Sequence, residues 1–204
     1  MKLLLVAATK AELGKVFDYY NLRGDDFVSQ PKFDVLITGV GMTATAFALG
    51  KYLNSNYNLV LNVGIAGSFD LNTALGSLVM IETDTFAELG AEDHEEFLTI
   101  NQLGFGENTC TSTYIFDELP KVNGITVNKV HGNALSIAKT LSRFNPQTES
   151  MEGAAVFYAC RMQNIPCLQV RAISNYVEPR NKANWQIGLA IDNLNDWIIQ
   201  FIEN

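Results

Sequence analysis

Four polar residues stand where apolar runs end, and their types suit acid–base work on a bound small molecule: Glu12, Glu152, Ser174 and Asn175. A carboxylate beside a substrate can orient and deprotonate a water, or accept hydrogen bonds from hydroxyl groups. An amide can donate to neighbouring acceptors that an ionised carboxylate would repel. Each residue also has a purely structural explanation. Glu12 and Glu152 suit first turns of helices, where the dipole favours an acid, and Asn175 suits a turn. Spacing alone leaves both explanations open.

The elements that must position these residues can be read from the apolar pattern. Lys2 to Ala8 is a short apolar run and reads as a buried strand; Thr9 then caps a helix that contains Glu12 and runs towards Tyr20. Asp34 to Gly39 reads as a second strand, ending in the Gly39-Val40-Gly41 turn, with a helix over Met42 to Leu53. Asn58 to Val63 is a third strand, ending in a turn at Gly64-Ile65-Ala66-Gly67. Strands alternating with glycine turns and helices predict an α/β fold with a largely parallel sheet. Ligands bind such sheets beyond the carboxyl ends of the strands.

Leu78 to Glu82 reads as another strand. Ala87 to Glu96 carries five acidic residues without apolar periodicity and reads as an exposed loop or flap, with His94 on the surface. Ser150 is the expected N-cap of a helix from Met151 to about Asn164. Cys167 to Ile173 is a strand containing Arg171 and leading into Ser174-Asn175. A last amphipathic helix covers about Ala183 to Ile202. No repeat or linker interrupts the chain, so residues 1–204 are expected to form one domain.

The 204 residues are 48% hydrophobic and 18% charged, the balance of an ordinary globular protein. The 22 acidic residues exceed the 14 basic ones, for a net charge of −8, which argues against a nucleic-acid or anionic-membrane partner. The opening apolar run ends at Lys10 and Glu12, too short to span a membrane. Cys110, Cys160 and Cys167 are an odd number without metal spacing, and Cys160 and Cys167 lie in apolar runs that read as core packing, so a reducing cytoplasm is the expected location. With only His94 and His131, a His-rich metal site is not expected, nor is any cofactor. Gly39-Val40-Gly41 does not complete a dinucleotide fingerprint, because Ala44 stands where its third glycine belongs.

The combination carries more than its parts. Glu149-Ser150-Met151-Glu152-Gly153-Ala154-Ala155, Val170-Arg171-Ala172-Ile173-Ser174-Asn175, Asn62-Val63-Gly64-Ile65-Ala66-Gly67 and the early Glu12 together resemble the nucleoside phosphorylase and nucleosidase superfamily. The resemblance spans nearly the whole chain. In methylthioadenosine/S-adenosylhomocysteine nucleosidases the corresponding strand ends in Ser-Asp, whereas this sequence has Asn175. The run Ser174 to Asn181, with Trp185 and the Glu149–Ala155 segment, is most similar to the futalosine hydrolases of menaquinone biosynthesis.

That resemblance implies a three-layer, nucleoside phosphorylase-like fold with a central mixed, largely parallel sheet flanked by helices, and a purine nucleoside as substrate. It implies catalytic roles for Glu12, as the base that activates a water, and for Asn175, at the purine edge. Gly64, Ile65, Met151, Glu152 and Ser174 would bind substrate, Met151 against the ribose and Glu152 on its hydroxyls. Arg171 would support the strand end. A homo-oligomer, with a dimer favoured, is also implied. Asn62 and Ile65 occupy places where related phosphorylases hold phosphate with arginine and serine, which favours hydrolysis; Arg23 is the remaining candidate for phosphate. A methylthioadenosine-type nucleosidase, a phosphorylase and a non-catalytic nucleoside sensor stay open as alternatives.

Overall fold

The computed structural model describes residues 2–204. In chain order the elements are β1 (Leu3–Ala7), a 3-10 turn (Lys10–Leu13), α1 (Gly14–Tyr19), β2 (Phe27–Ser29), β3 (Phe33–Ile37), α2 (Met42–Tyr52) and β4 (Leu59–Ser68). There follow β5 (Leu78–Phe86), β6 (Gly90–Asp93), β7 (Glu96–Thr99), β8 (Thr109–Thr111), β9 (Lys121–Thr126), α3 (Ala134–Phe144) and β10 (Thr148–Ser150). The chain ends with α4 (Gly153–Gln163), β11 (Cys167–Tyr176), a second 3-10 turn (Lys182–Asn184) and α5 (Ile187–Glu203).

The centre of the sheet, β3-β1-β4-β11, is parallel throughout. Antiparallel pairings of β2 with β3, β5 with β11 and β8 with β5 make the whole mixed. Strands β4, β11, β5, β9 and β10 pair in succession, and β10 returns antiparallel to β4, closing a ring of five strands. Every residue of β1 is buried because helices cover both faces. Leu3, Leu5 and Ala7 pack with Val16 of α1 and with Ala190, Leu194 and Ile198 of α5. Leu4 and Val6 point the other way, towards Leu49 of α2 and Val156, Phe157 and Cys160 of α4. The alternation follows from the two-residue period of a strand. All three cysteines are free and buried. Among the described residues no helix is long and apolar enough to cross a membrane.

The α/β architecture matches the sequence expectation, with local departures. Gly64–Gly67 is not a turn: β4 continues through it to Ser68, because β11 supplies parallel partners along that whole stretch. β11 likewise continues past Ile173 to Tyr176, with a register shift between Ile173 and Asn175. Ser150 ends β10 and α4 starts only at Gly153, with Glu152 in the N-cap position, although Ser150 Oγ still accepts from Gly153 N at 3.4 Å. The expected first helix splits into a 3-10 turn and α1, and the last begins at Ile187 after a separate turn. The acidic segment is exposed as expected, yet it forms the β6–β7 hairpin, with His94 in left-handed conformation (φ 52°) at its tip.

Candidate active site

A cavity of about 400 Å³ opens at the carboxyl ends of β1, β4 and β11, where an α/β sheet is expected to bind ligands. Its lining brings together Glu12, Ile65, Met151, Glu152, Ser174 and Asn175, although they come from four separate segments. Gly64 is not in the lining. It lies beneath, where its missing side chain decides the packing: a Cβ there would overlap Arg171 Nη1 and stand 2.8 Å from Glu12 Oε1.

Glu12 is held from three sides. Its Oε2 accepts hydrogen bonds from Thr9 N at 2.9 Å and Thr9 Oγ1 at 3.0 Å, and its Oε1 accepts one from Ile65 N at 3.1 Å. The last donor is free because β1 pairs with β4 only as far as Asn62. From behind, Asn195 of α5 donates to Glu12 O at 2.8 Å and accepts from Val16 N at 3.0 Å, tying the turn to the helical layer. A buried carboxylate with this many donors is fixed in place as well as solvated.

Glu152 sits at the N-terminus of α4, and its Oε1 accepts from Gly41 N at 2.9 Å. Gly39 and Gly41 adopt φ of 82° and 94°, a left-handed backbone that other residues rarely tolerate, so the glycine turn delivers this donor. Burial pushes the Glu152 carboxyl above its usual pKa, while the positive charge of Arg171 and the Gly41 N–H pull it back. Arg171 is fully buried, and its Nε and Nη2 have no hydrogen-bond partner in the protein. Expected to support the strand end, it is also a buried cation whose charge acts on Glu152 and whose Nη1 packs over Gly64 beside Glu12 Oε1.

Behind it runs a polar relay. Asn62 donates to Gln169 Oε1 at 2.9 Å, and Gln169 donates to Asp84 Oδ2 at 2.8 Å. Asp84 also accepts from Thr126 Oγ1 at 2.8 Å, and burial pushes its pKa up to about 6. Asn62 is thus buried and turned into this relay, outside the cavity lining. Arg23 is exposed and does not line the cavity either.

The other end is built around Gly67. In register, Gly67 pairs with Asn175 on β11 and with Glu149 on β10, so the two polar side chains flank a position that has none. Asn175 Oδ1 accepts from Ser174 Oγ at 2.8 Å, and its Nδ2 donates to the Tyr176 carbonyl at 3.0 Å. A carbonyl can only accept, which fixes the amide orientation and leaves one N–H uncommitted. Glu149 accepts from His131 N at 3.0 Å and lies 2.6 Å from His131 Nδ1; the His131 Nε2 contacts Thr140 Oγ1 at 2.8 Å. Glu149 and His131 escaped the sequence reading. Glu149 lies in the same run as Glu152, a usable signal, but His131 is brought in by a loop with no periodicity.

Comparison with known proteins decides the family. The chain is 32% identical to a futalosine hydrolase of Streptomyces coelicolor, over 96% of this chain and 93% of that protein. It belongs to the futalosine hydrolase family. A second futalosine hydrolase, from Thermus thermophilus, is 28% identical over 94% of this chain and 91% of its own. The model of the phosphorylase superfamily matches residues 110–202. Among solved structures, the native futalosine hydrolase of Helicobacter pylori superposes with a TM-score of 0.83 at 13% identity, covering 100% of this chain and 97% of that one. A methylthioadenosine/S-adenosylhomocysteine nucleosidase from the same organism gives 0.82 at 12% identity, covering 100% and 98%. At such low identities these two likenesses show the fold alone. Membership of the futalosine hydrolase family makes the chain an N-glycosyl hydrolase.

Proposed function

We propose that the protein hydrolyses futalosine to hypoxanthine and dehypoxanthine futalosine, as a step of menaquinone biosynthesis. The observation that carries this reading is the meeting of Glu12, Glu152 and Asn175 in one cavity, with the two acids at one end and the amide at the other. It is supported by the family to which the chain belongs.

The chemistry follows from the placement. Rupture of the C1′–N9 bond leaves a sugar with oxocarbenium character, which a nearby carboxylate stabilises. Glu152, on the ribose hydroxyls beside Met151, supplies that charge. Glu12 orients a water on the face opposite the base and takes its proton as the water oxygen bonds to C1′. Arg171, buried behind the lining, offsets the charge of Glu152. The leaving purine departs as an anion, hydrogen-bonded by the free N–H of Asn175 at its N7 and O6 acceptors, and takes its proton from solvent. Hydrolysis is favoured over phosphorolysis because Asn62 is turned into the Gln169 relay and Ile65 offers only its backbone N–H, already given to Glu12.

The chain is further proposed to act in the cytoplasm, in keeping with its three free cysteines, and as a homo-oligomer, a dimer in the first instance. An apolar groove of about 540 Å³ between α2 and α4, with Met162 exposed beside it, suits contact with a second copy. Sedimentation velocity giving a monomer at micromolar concentration would remove the dimer.

The experiment for the reaction is incubation with futalosine, inosine and methylthioadenosine, with and without phosphate, followed by detection of the released base. Hypoxanthine from futalosine, with free sugar and no sugar 1-phosphate, is the expected result. Turnover that required phosphate, or that favoured methylthioadenosine, would overturn it.

A further inference from the structure

Glu149 and His131 line the cavity, yet the sugar chemistry uses neither. Both are well buried, with 3% and 12% of their side chains exposed. Their place is set by the closed ring of strands: Glu149 and Asn175 are the two register partners of Gly67. A Cβ on Gly67 would stand 3.2 Å from Asn175 Nδ2 and 3.6 Å from Glu149 Cγ. Val177 Cγ2 is nearer still, at 2.9 Å, so Gly67 is a closely packed point of the wall with an amide donor on one side and a carboxylate on the other. A planar base in the cavity beside it meets both.

We propose that Glu149, braced by His131, accepts a hydrogen bond from N1–H of a 6-oxopurine and so completes the selection of hypoxanthine over adenine. The inference rests on the hydrolase reading above. The edge of hypoxanthine presents two acceptors, N7 and O6, followed by a donor, N1–H. Asn175 has one uncommitted N–H for the acceptors. Glu149 has only acceptor capacity left for the donor: its Oε1 takes the His131 N–H, and any proton between the two side chains lies along the 2.6 Å line from Oε2 to His131 Nδ1. Adenine keeps the acceptor at N7 but follows it with a 6-amino donor and an acceptor at N1. Its unprotonated N1 would set a lone pair against the Glu149 oxygens, and mispaired buried polar groups are costly. Thr140 on His131 Nε2 keeps the imidazole from turning away, so the pair is fixed before the base arrives.

The alternative is that Glu149 only secures the His131 loop. Calorimetric binding of hypoxanthine, 1-methylhypoxanthine and adenine to the wild type and to Glu149→Gln separates the two. The wild type is expected to bind hypoxanthine at least about 10-fold more tightly than either other base. Glu149→Gln should weaken hypoxanthine by roughly 10- to 150-fold and shrink its margin over adenine, since an amide can turn an N–H towards N1. If the variant weakened hypoxanthine and adenine by the same factor, the role would be structural and the proposal lost. It would be lost equally if the wild type bound 1-methylhypoxanthine as well as hypoxanthine, a result that needs no variant. A wild type that preferred hypoxanthine in this N1-dependent way but released none from futalosine would sink the hydrolase reading and leave this inference standing.

Discussion

One end of the cavity collects charges: two carboxylates line it, and behind them lies a buried guanidinium whose Nε and Nη2 have no protein partner. Around Gly67, by contrast, nearly every polar atom is engaged, Asn175 by Ser174 and Tyr176, Glu149 by His131, and His131 by Thr140. A field of charges held in a dry site stabilises a transient cation and orients a water, because little reorganisation is needed when the charge appears. A network of satisfied hydrogen bonds does something else. It leaves a few donors and acceptors in fixed places and penalises a ligand that mismatches them. On the function proposed above, the contrast puts rate at one end and selectivity at the other.

The largest test of that division is at Glu12. Glu12→Gln keeps the shape but cannot take the water's proton, so kcat should fall by about 10²- to 10⁴-fold while ligand binding survives. Retention of near wild-type kcat would make Glu12 a structural acid. Gly64→Ala should come close to the same loss, because the added Cβ must displace both Arg171 and Glu12. Its activity and its melting temperature, measured together, show whether displacement at the site or general unfolding is responsible.

Glu152→Gln should lower both affinity and turnover, by roughly 10- to 100-fold in kcat/KM, because contacts to the ribose hydroxyls strengthen as the sugar becomes cationic. An unchanged kcat with raised KM would show uniform binding and would blur the division. At the other end, Asn175→Asp should weaken cleavage of futalosine by about 10- to 150-fold and improve the relative rate on its 6-amino analogue. The ionised carboxylate would face O6. Measuring kcat/KM for both substrates checks this, and equal losses on the two would deny the base end its selective role.

The smallest effect on turnover concerns Asp84, behind Arg171. Its folded-state pKa of about 6 lies above the ordinary 3.8, because burial disfavours the charge. Its contribution to stability is therefore complete below about pH 4 and is lost as pH rises through 6. Asp84→Asn should flatten that part of the stability curve, read as melting temperature between pH 4 and 8, with little change in kcat. A curve identical to the wild type would mean that Asp84 keeps its charge at no cost.

Much of this was open to reading in the chain itself. The buried strands 3–7 and 33–37 appear as continuous apolar runs because both sheet faces are covered, and α2 follows from its alanine-rich pattern. Glu12, Met151, Glu152 and Asn175 were found because they follow such runs and because their order resembles a known family. Element ends were read less well. Gly64–Gly67 looked like a turn, since glycine usually marks one, but here glycine allows Arg171 and Glu12 to approach the strand.

The sequence by itself determined the element order, the burial of the strands and the acids and amide available for chemistry, since these depend on local periodicity and residue type. Only the tertiary structure decided the rest. Closing the ring from β10 back to β4 set Glu149 opposite Asn175 across Gly67, although 26 positions separate them in the chain. Parallel pairing of β11 with β4 put Arg171 beside Gly64, in reach of Glu12. Strand register is a property of the whole sheet, fixed by which faces can be buried together, and no local pattern carries it.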